Sequence, residues 1–148
     1  VREIATLHNL PRKSGGSTTL KKELVRKGLE PDQCFWFENA SLIRGVRELD
    51  LTIHPAPDLV IEVDITHSAV NREAIYAALG VSEMWRYRQG RLDAFVLDEH
   101  QSWKPTERSR SLPMLRVAEL LPWVERLVNA EDETPIVLEF RAWAESLG

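Results

Sequence analysis

Three acids interrupt an apolar run in "PDLVIEVDIT", residues 57–66, where Asp58, Glu62 and Asp64 stand among Leu59, Val60, Ile61, Val63 and Ile65. The β-branched and aliphatic bias predicts a buried strand over 58–66. Side chains alternate along a strand, so Asp58, Val60, Glu62 and Asp64 share one face, while Leu59, Ile61, Val63 and Ile65 form a wholly apolar one. At about 3.3 Å per residue, Glu62 and Asp64 stand about 6.6 Å apart, close enough to share a hydrated cation or bracket a phosphate. Asp58 lies about 13 Å from Glu62 by the same rise and reads as the residue that opens the strand, satisfied by local amides or water.

Two neighbouring carboxylates on a buried strand repel each other, and desolvation raises their pKa values unless cations or hydrogen-bond donors compensate. A divalent metal does so. Hard oxygen ligands without Cys or His in the motif point to Mg²⁺ or Mn²⁺ rather than zinc. A salt bridge to Arg72 or another basic residue does so equally well, and the motif alone leaves both open.

The elements that must position these acids follow from punctuation along the chain. "REIATLHNLP" reads as a strand or as the tail of a helix, and "SGGSTT" as a turn. "DQCFWFEN", residues 32–39, is aromatic and bounded as a strand. Ser68 or Asn71 can cap a helix through "REAIYAAL", which ends at Gly80 where a left-handed residue is expected. "SEMWRYR" and "RLDAFVLDE" flank Gln89-Gly90 as a hairpin, and "SWKPTE" adds an edge. Beyond the basic linker "RSRSLP", Pro122 starts or kinks a helix in "RVAELLPWVERLV". A final helix is predicted with Thr134 at N-cap, Pro135 at N1 and a stripe of Ile136, Phe140, Trp143 and Leu147.

The chain of 148 residues is the size of one domain and long enough to bury a core without staples. A single cysteine, Cys34, excludes an internal disulfide and fits a reducing compartment. No apolar run approaches the roughly 20 residues that span a bilayer, and no signal peptide opens the chain, so a soluble, cytoplasmic protein is expected. The start at Val1 without a methionine or cap suggests a preceding segment. A net charge of −4 gives no global attraction to nucleic acid, so such binding must rest on a local patch. Arg12, Lys13, Lys21, Lys22, Arg26 and Lys27 against Glu23 supply one, although such a run is also an ordinary solvated face. There is no Walker-type loop, nucleophile elbow or zinc spacing, which removes several enzyme classes.

A second Pro-Asp pair in "GLEPDQCFWFEN" puts Asp32 at the head of the strand before the acidic one. An acid at a strand start followed by a strand carrying a glutamate resembles the PD-(D/E)XK, restriction-endonuclease-like superfamily. Within it, "PDLVIEVDIT" followed by "IYAALGVSEMWRY" resembles the Uma-two family of restriction endonucleases, over roughly residues 15 to 105. The resemblance implies an α/β fold with a central mixed sheet flanked by helices, plus C-terminal helices. It implies one nuclease-like domain over 1–148, lacking its first N-terminal helix, with 112–148 as a C-terminal helical extension.

Carried over by position, the resemblance implies metal-binding acids at Asp32 and Glu62, with Asp64 beside them, and a Mg²⁺ or Mn²⁺ cofactor. The lysine that follows the glutamate by two residues in the superfamily is absent, because position 64 is Asp. Related Uma-two sequences carry a basic residue four positions before the helix tyrosine, and here that is Arg72 before Tyr76. Arginine cannot act as a base but can clamp a phosphate oxygen, leaving Asp64 or Glu62 to take the proton from water. Lys21, Lys22 and Thr18 are expected substrate contacts, with Ser17 and Thr19 nearby. His54 and His67 flank the acidic strand, although lone loop histidines are more often solvated than ligating. Tyr76, Trp85 and Tyr87 read as packing residues.

The expected activity is metal-dependent cleavage of phosphodiester bonds, with DNA as the partner, no membrane, and a homodimer as the assembly to test for. The missing lysine makes a catalytically silent nuclease-fold module for nucleic-acid or protein binding the alternative. A non-nuclease metal hydrolase would use the same acids.

Overall fold

The computed structural model describes residues 1–22, 25–64 and 71–148, and of residues 22 and 25–28 the backbone only. Helix α1 (Arg2–Leu7) opens the chain, followed by strands β1 (Lys13–Gly16), β2 (Leu20–Lys22), β3 (Val25–Leu29) and β4 (Gln33–Trp36). Then come β5 (Leu59–Asp64), α2 (Arg72–Leu79), β6 (Glu83–Arg88), β7 (Arg91–Leu97), β8 (Trp103–Thr106), α3 (Leu121–Val128) and α4 (Thr134–Glu145). Six strands form one mixed sheet in the order β1-β4-β5-β6-β7-β8, and β2 and β3 form a separate antiparallel pair. Only β5 and β6 run parallel within the large sheet, as the intervening helix α2 requires. The fold is the α/β arrangement expected, a mixed sheet flanked by helices with further helices at the C-terminus.

The alternation in β5 decides what covers each face. Leu59 joins Phe35, Trp85 and Ala94 under α1, α4 and the segment carrying Leu112, Leu115 and Val117. Val60 joins Cys34, Trp36 and Met84 under Tyr76 and Leu79 of α2, with Leu20 and Leu29 of the small β pair. Glu83 is buried on the first face, and its carboxylate is satisfied by Trp85 Nε1 at 2.7 Å and the Ser111 amide at 2.8 Å. The "RSRSLP" stretch is therefore no simple linker, because Leu112 is fully buried and the Ser111 amide serves a core acid.

Local punctuation explains the elements around the acids. Asn71 accepts the Ala74 amide at 3.1 Å and caps α2, which ends at Gly80 in the left-handed region, φ 87°. Gln89 and Gly90 both have positive φ, as a two-residue hairpin between β6 and β7 demands. Ile65, His67 and Ser68 lie outside the described residues.

Two expectations are corrected. Ser14, Gly15 and Gly16 belong to β1 rather than to a turn, because a strand without a side chain at Gly15 can lie flat on β4. A Cβ at Gly15 would come within 2.5 Å of Cys34 Sγ and 2.7 Å of Trp36. Thr134 lies inside α4, and Glu133 occupies the cap position. Asp132 accepts the Thr134 amide at 2.9 Å, so the aspartate two residues upstream supplies the capping acceptor instead. Pro122, by contrast, starts α3 in its first turn and does not kink it.

The Gly15 contact yields a stability test. Gly15→Ala should lower unfolding free energy by about 1 to 3 kcal/mol in urea titration, the usual cost of forcing a methyl into a packed site. An unchanged midpoint would show that β1 and β4 are not held this closely.

Candidate functional site

Glu62 comes from the α2-facing side of β5 and is only 8% exposed. Arg72 and Tyr76 sit four residues apart on α2, hence on one helix face, and both turn to that acid. Arg72 Nη2 donates to Glu62 Oε1 at 2.6 Å, and the buried Tyr76 hydroxyl donates to the same oxygen. Arg72 Nη2 also lies 2.8 Å from the Glu30 carbonyl and 3.3 Å from the Tyr76 hydroxyl. Arg72 thus ties the start of α2, the acidic strand and the segment that leads into β4 to one point.

That segment carries Asp32. Gln33 pairs with Ile61 at the end of the β4–β5 ladder, and Asp32, one residue earlier, accepts the Val63 amide on Oδ2 at 2.6 Å. Asp32 and Glu62 are brought to the same end of two adjacent strands. Asp64 lies two residues beyond Glu62 on the same face, with Oδ2 3.8 Å from Arg88 Nε. Arg72 therefore pairs with Glu62 and not with Asp64, whose ion pair comes from β6.

Electrostatics follow from burial and these contacts. Burial pushes the Tyr76 hydroxyl well above its usual range, and the hydrogen bond and charge of Glu62 push it the same way, so it remains a donor. For Arg72 burial pulls downward, but the hydrogen bond to Glu62 and the charges of Tyr76 and Glu62 outweigh it, and the net direction is up. Arg72 Nε is buried and has no hydrogen-bond partner among the described residues. On the opposite margin of the strand, Asp58 accepts the Phe37 and Glu38 amides at 2.6 and 3.1 Å. It is satisfied by local amides, as a strand-opening residue should be, although burial pushes its carboxyl upward.

The other expected site residues are spread more widely. Thr18 lines a cleft with Lys13, Trp36 and Arg47 whose lining includes none of Asp32, Glu62, Asp64 or Arg72. Lys21 is exposed, and its carbonyl accepts the Leu51 amide at 2.8 Å. The Lys22 side chain lies outside what the structure describes. His54 accepts the Asp50 amide on Nδ1 at 3.1 Å and closes the turn before β5. Tyr76 was legible only as a packing residue; its polar tip at i+4 from Arg72 is the signal that predicts a shared partner.

The donor set suits a hard cation. Asp32 and Glu62 offer carboxylate oxygens at one sheet end, the one or two protein ligands with which Mg²⁺ is content beside water and phosphate. Among the described residues no three of His, Cys, Asp and Glu cluster closely enough to hold a metal by themselves.

The Tyr76 contact gives the second test. Tyr76→Phe preserves the ring but removes a buried donor to a carboxylate, and should cost about 1.5 to 3 kcal/mol in chemical denaturation. No loss would mean that Arg72 alone satisfies Glu62.

Comparison with known proteins places this geometry in a family. The sequence matches the Uma2 family, described as "Putative restriction endonuclease", over residues 2–130, a stretch that contains the whole acidic site and stops short of α4. No curated protein matches it. Restriction-endonuclease-like families generally use a divalent metal and act on nucleic acid, and among the described residues no helix is long and apolar enough to cross a membrane. With the match covering most of its length and a flanked mixed sheet bearing the acids, the chain belongs to the Uma2 family of restriction-endonuclease-like proteins.

Proposed function

We propose that this chain is a metal-dependent endonuclease that hydrolyses phosphodiester bonds in DNA. The observation that supports it is the meeting of Asp32 and Glu62 at one end of β4 and β5, with Arg72 bound to Glu62. Asp32 and Glu62 would hold Mg²⁺ or Mn²⁺, with Asp64 alongside. When bound, such a cation lowers the pKa of a water and offsets charge on the phosphate.

The chain's own residues divide the remaining work. Arg72 and Tyr76 fix the Glu62 carboxylate in one rotamer, which keeps its second oxygen turned to the ligand side. Asp64 takes the proton of the attacking water, since Glu62 Oε1 already accepts two hydrogen bonds. As the water oxygen bonds to phosphorus, the bond to the leaving sugar oxygen breaks, and that oxygen is protonated from solvent. The net reaction is hydrolysis.

A second reading has its own support. Glu62 is already neutralised by Arg72 and Tyr76, and the superfamily lysine is replaced by Asp64. Those features suit a silent nuclease-fold module that binds nucleic acid or protein.

Cleavage of supercoiled plasmid in Mg²⁺ or Mn²⁺ separates the two. Wild-type protein should nick it and EDTA should abolish nicking. Glu62→Gln and Asp32→Asn should each slow the reaction at least about 100-fold, and Arg72→Ala by about 2 to 3 orders of magnitude. Wild-type protein that binds duplex DNA but cuts with neither ion would establish the silent module instead.

A further inference from the structure

The superfamily lysine would rise from position 64, on the face that Glu62 shares, and here that position holds an acid. The parallel register of β5 with β6 sets Glu62 beside Arg86 and Asp64 beside Arg88. The antiparallel hairpin then sets Arg88 beside Arg91. Cross-strand partners project to one face, so Asp64, Arg88 and Arg91 form a row across the mouth of the sheet. Two residues along the strand and one strand across put the Arg88 Cα about 8 Å from that of Glu62, within the span of an arginine side chain and a phosphate.

The three arginines nearest the acids differ in what already holds them. Arg72 is fixed by Glu62, the Glu30 carbonyl and Tyr76. Arg86 pairs with Glu73 and lies 5.1 Å from the centre of the Phe95 ring. Arg88 meets Asp64 only at 3.8 Å, with its side chain 42% exposed. Arg91 is held by Asp93 at 3.3 Å and is 78% exposed. Exchange of a long, solvent-exposed ion pair for a charge-assisted bond to phosphate costs little.

We infer that Arg88 and Arg91 form the phosphate-binding edge of the site, with Arg88 supplying from β6 the positive charge that the superfamily takes from the lysine on β5. In this arrangement Asp64 positions Arg88 in the empty state. When Arg88 turns to a backbone phosphate, Asp64 is released to accept a proton. Arg91, one strand further out, takes a neighbouring phosphate of the same polyanion. The inference rests on the nucleic-acid reading of the site and adds the surface along which the backbone lies.

Binding can be read apart from cleavage by the fluorescence anisotropy of a short labelled DNA duplex in EDTA, titrated with full-length chain across a salt series. Arg88→Ala and Arg91→Ala should each weaken binding and reduce the slope of log affinity against log salt by about 0.9, the value for one lost phosphate contact. Arg88→Lys should retain the slope, because the charge is retained. Circular dichroism on each variant verifies the fold, which these exposed side chains should leave intact. If wild-type protein binds and Arg88→Ala matches it in affinity and slope, the edge is refuted while the nuclease reading stands. If wild-type protein binds no DNA at any salt, both fall together.

Discussion

A carboxylate on a nearly buried strand has to be compensated, and much of this site is arranged around how Glu62 is compensated. Leaving such a charge without its partner costs about 3 to 5 kcal/mol, whereas an exposed ion pair contributes about 0 to 1. The Arg72–Glu62 contact lies toward the costly end, because Glu62 is 8% exposed and shares its oxygen with a buried tyrosine. Helix α2 must therefore start where Arg72 reaches the strand, and Asn71 caps it at that point. The same guanidinium holds the Glu30 carbonyl, which fixes the approach of Asp32 to Val63.

This constraint also separates the two faces of the sheet. The face under α1 and α4 is filled by Leu59, Phe35, Trp85 and Leu115, with Glu83 satisfied internally. On the other face the apolar cluster of Val60, Trp36 and Met84 gives way, toward the C-terminal ends of β5 and β6, to Glu62, Asp64, Arg86 and Arg88. Packing supplies rigidity at one end of the strands and charge supplies chemistry at the other. Ligands of sheets with helical crossovers commonly sit at the carboxyl ends of the strands, and the acids here occupy that end of β5.

What the sequence revealed was local. The alternation of β5, the cap at Asn71 with the stop at Gly80, and the Gln89-Gly90 hairpin all rest on neighbours within a few residues, and each is present. Asp32 and Glu62 were legible as a pair only through resemblance, since 30 residues of chain separate their strands. Other features depend on register or close approach. Whether Gly15 is a turn residue or a strand residue is decided by Cys34 and Trp36 on another strand. Arg72 choosing Glu62 over Asp64, and Arg88 standing beside Asp64, follow from the β5–β6 alignment, which no local pattern specifies.

The central claim is that Asp32 and Glu62 together hold a hard divalent cation while Arg72 keeps Glu62 in place. Anomalous scattering from crystals soaked in Mn²⁺ tests it most directly. A peak bonded to carboxylate oxygens of both Asp32 and Glu62, with Arg72 still within hydrogen-bond distance of Glu62, is the result the account predicts. A clean map in which Arg72 and Tyr76 engage Glu62 and no manganese lies near Asp32 would contradict it and leave the acids as part of the fold.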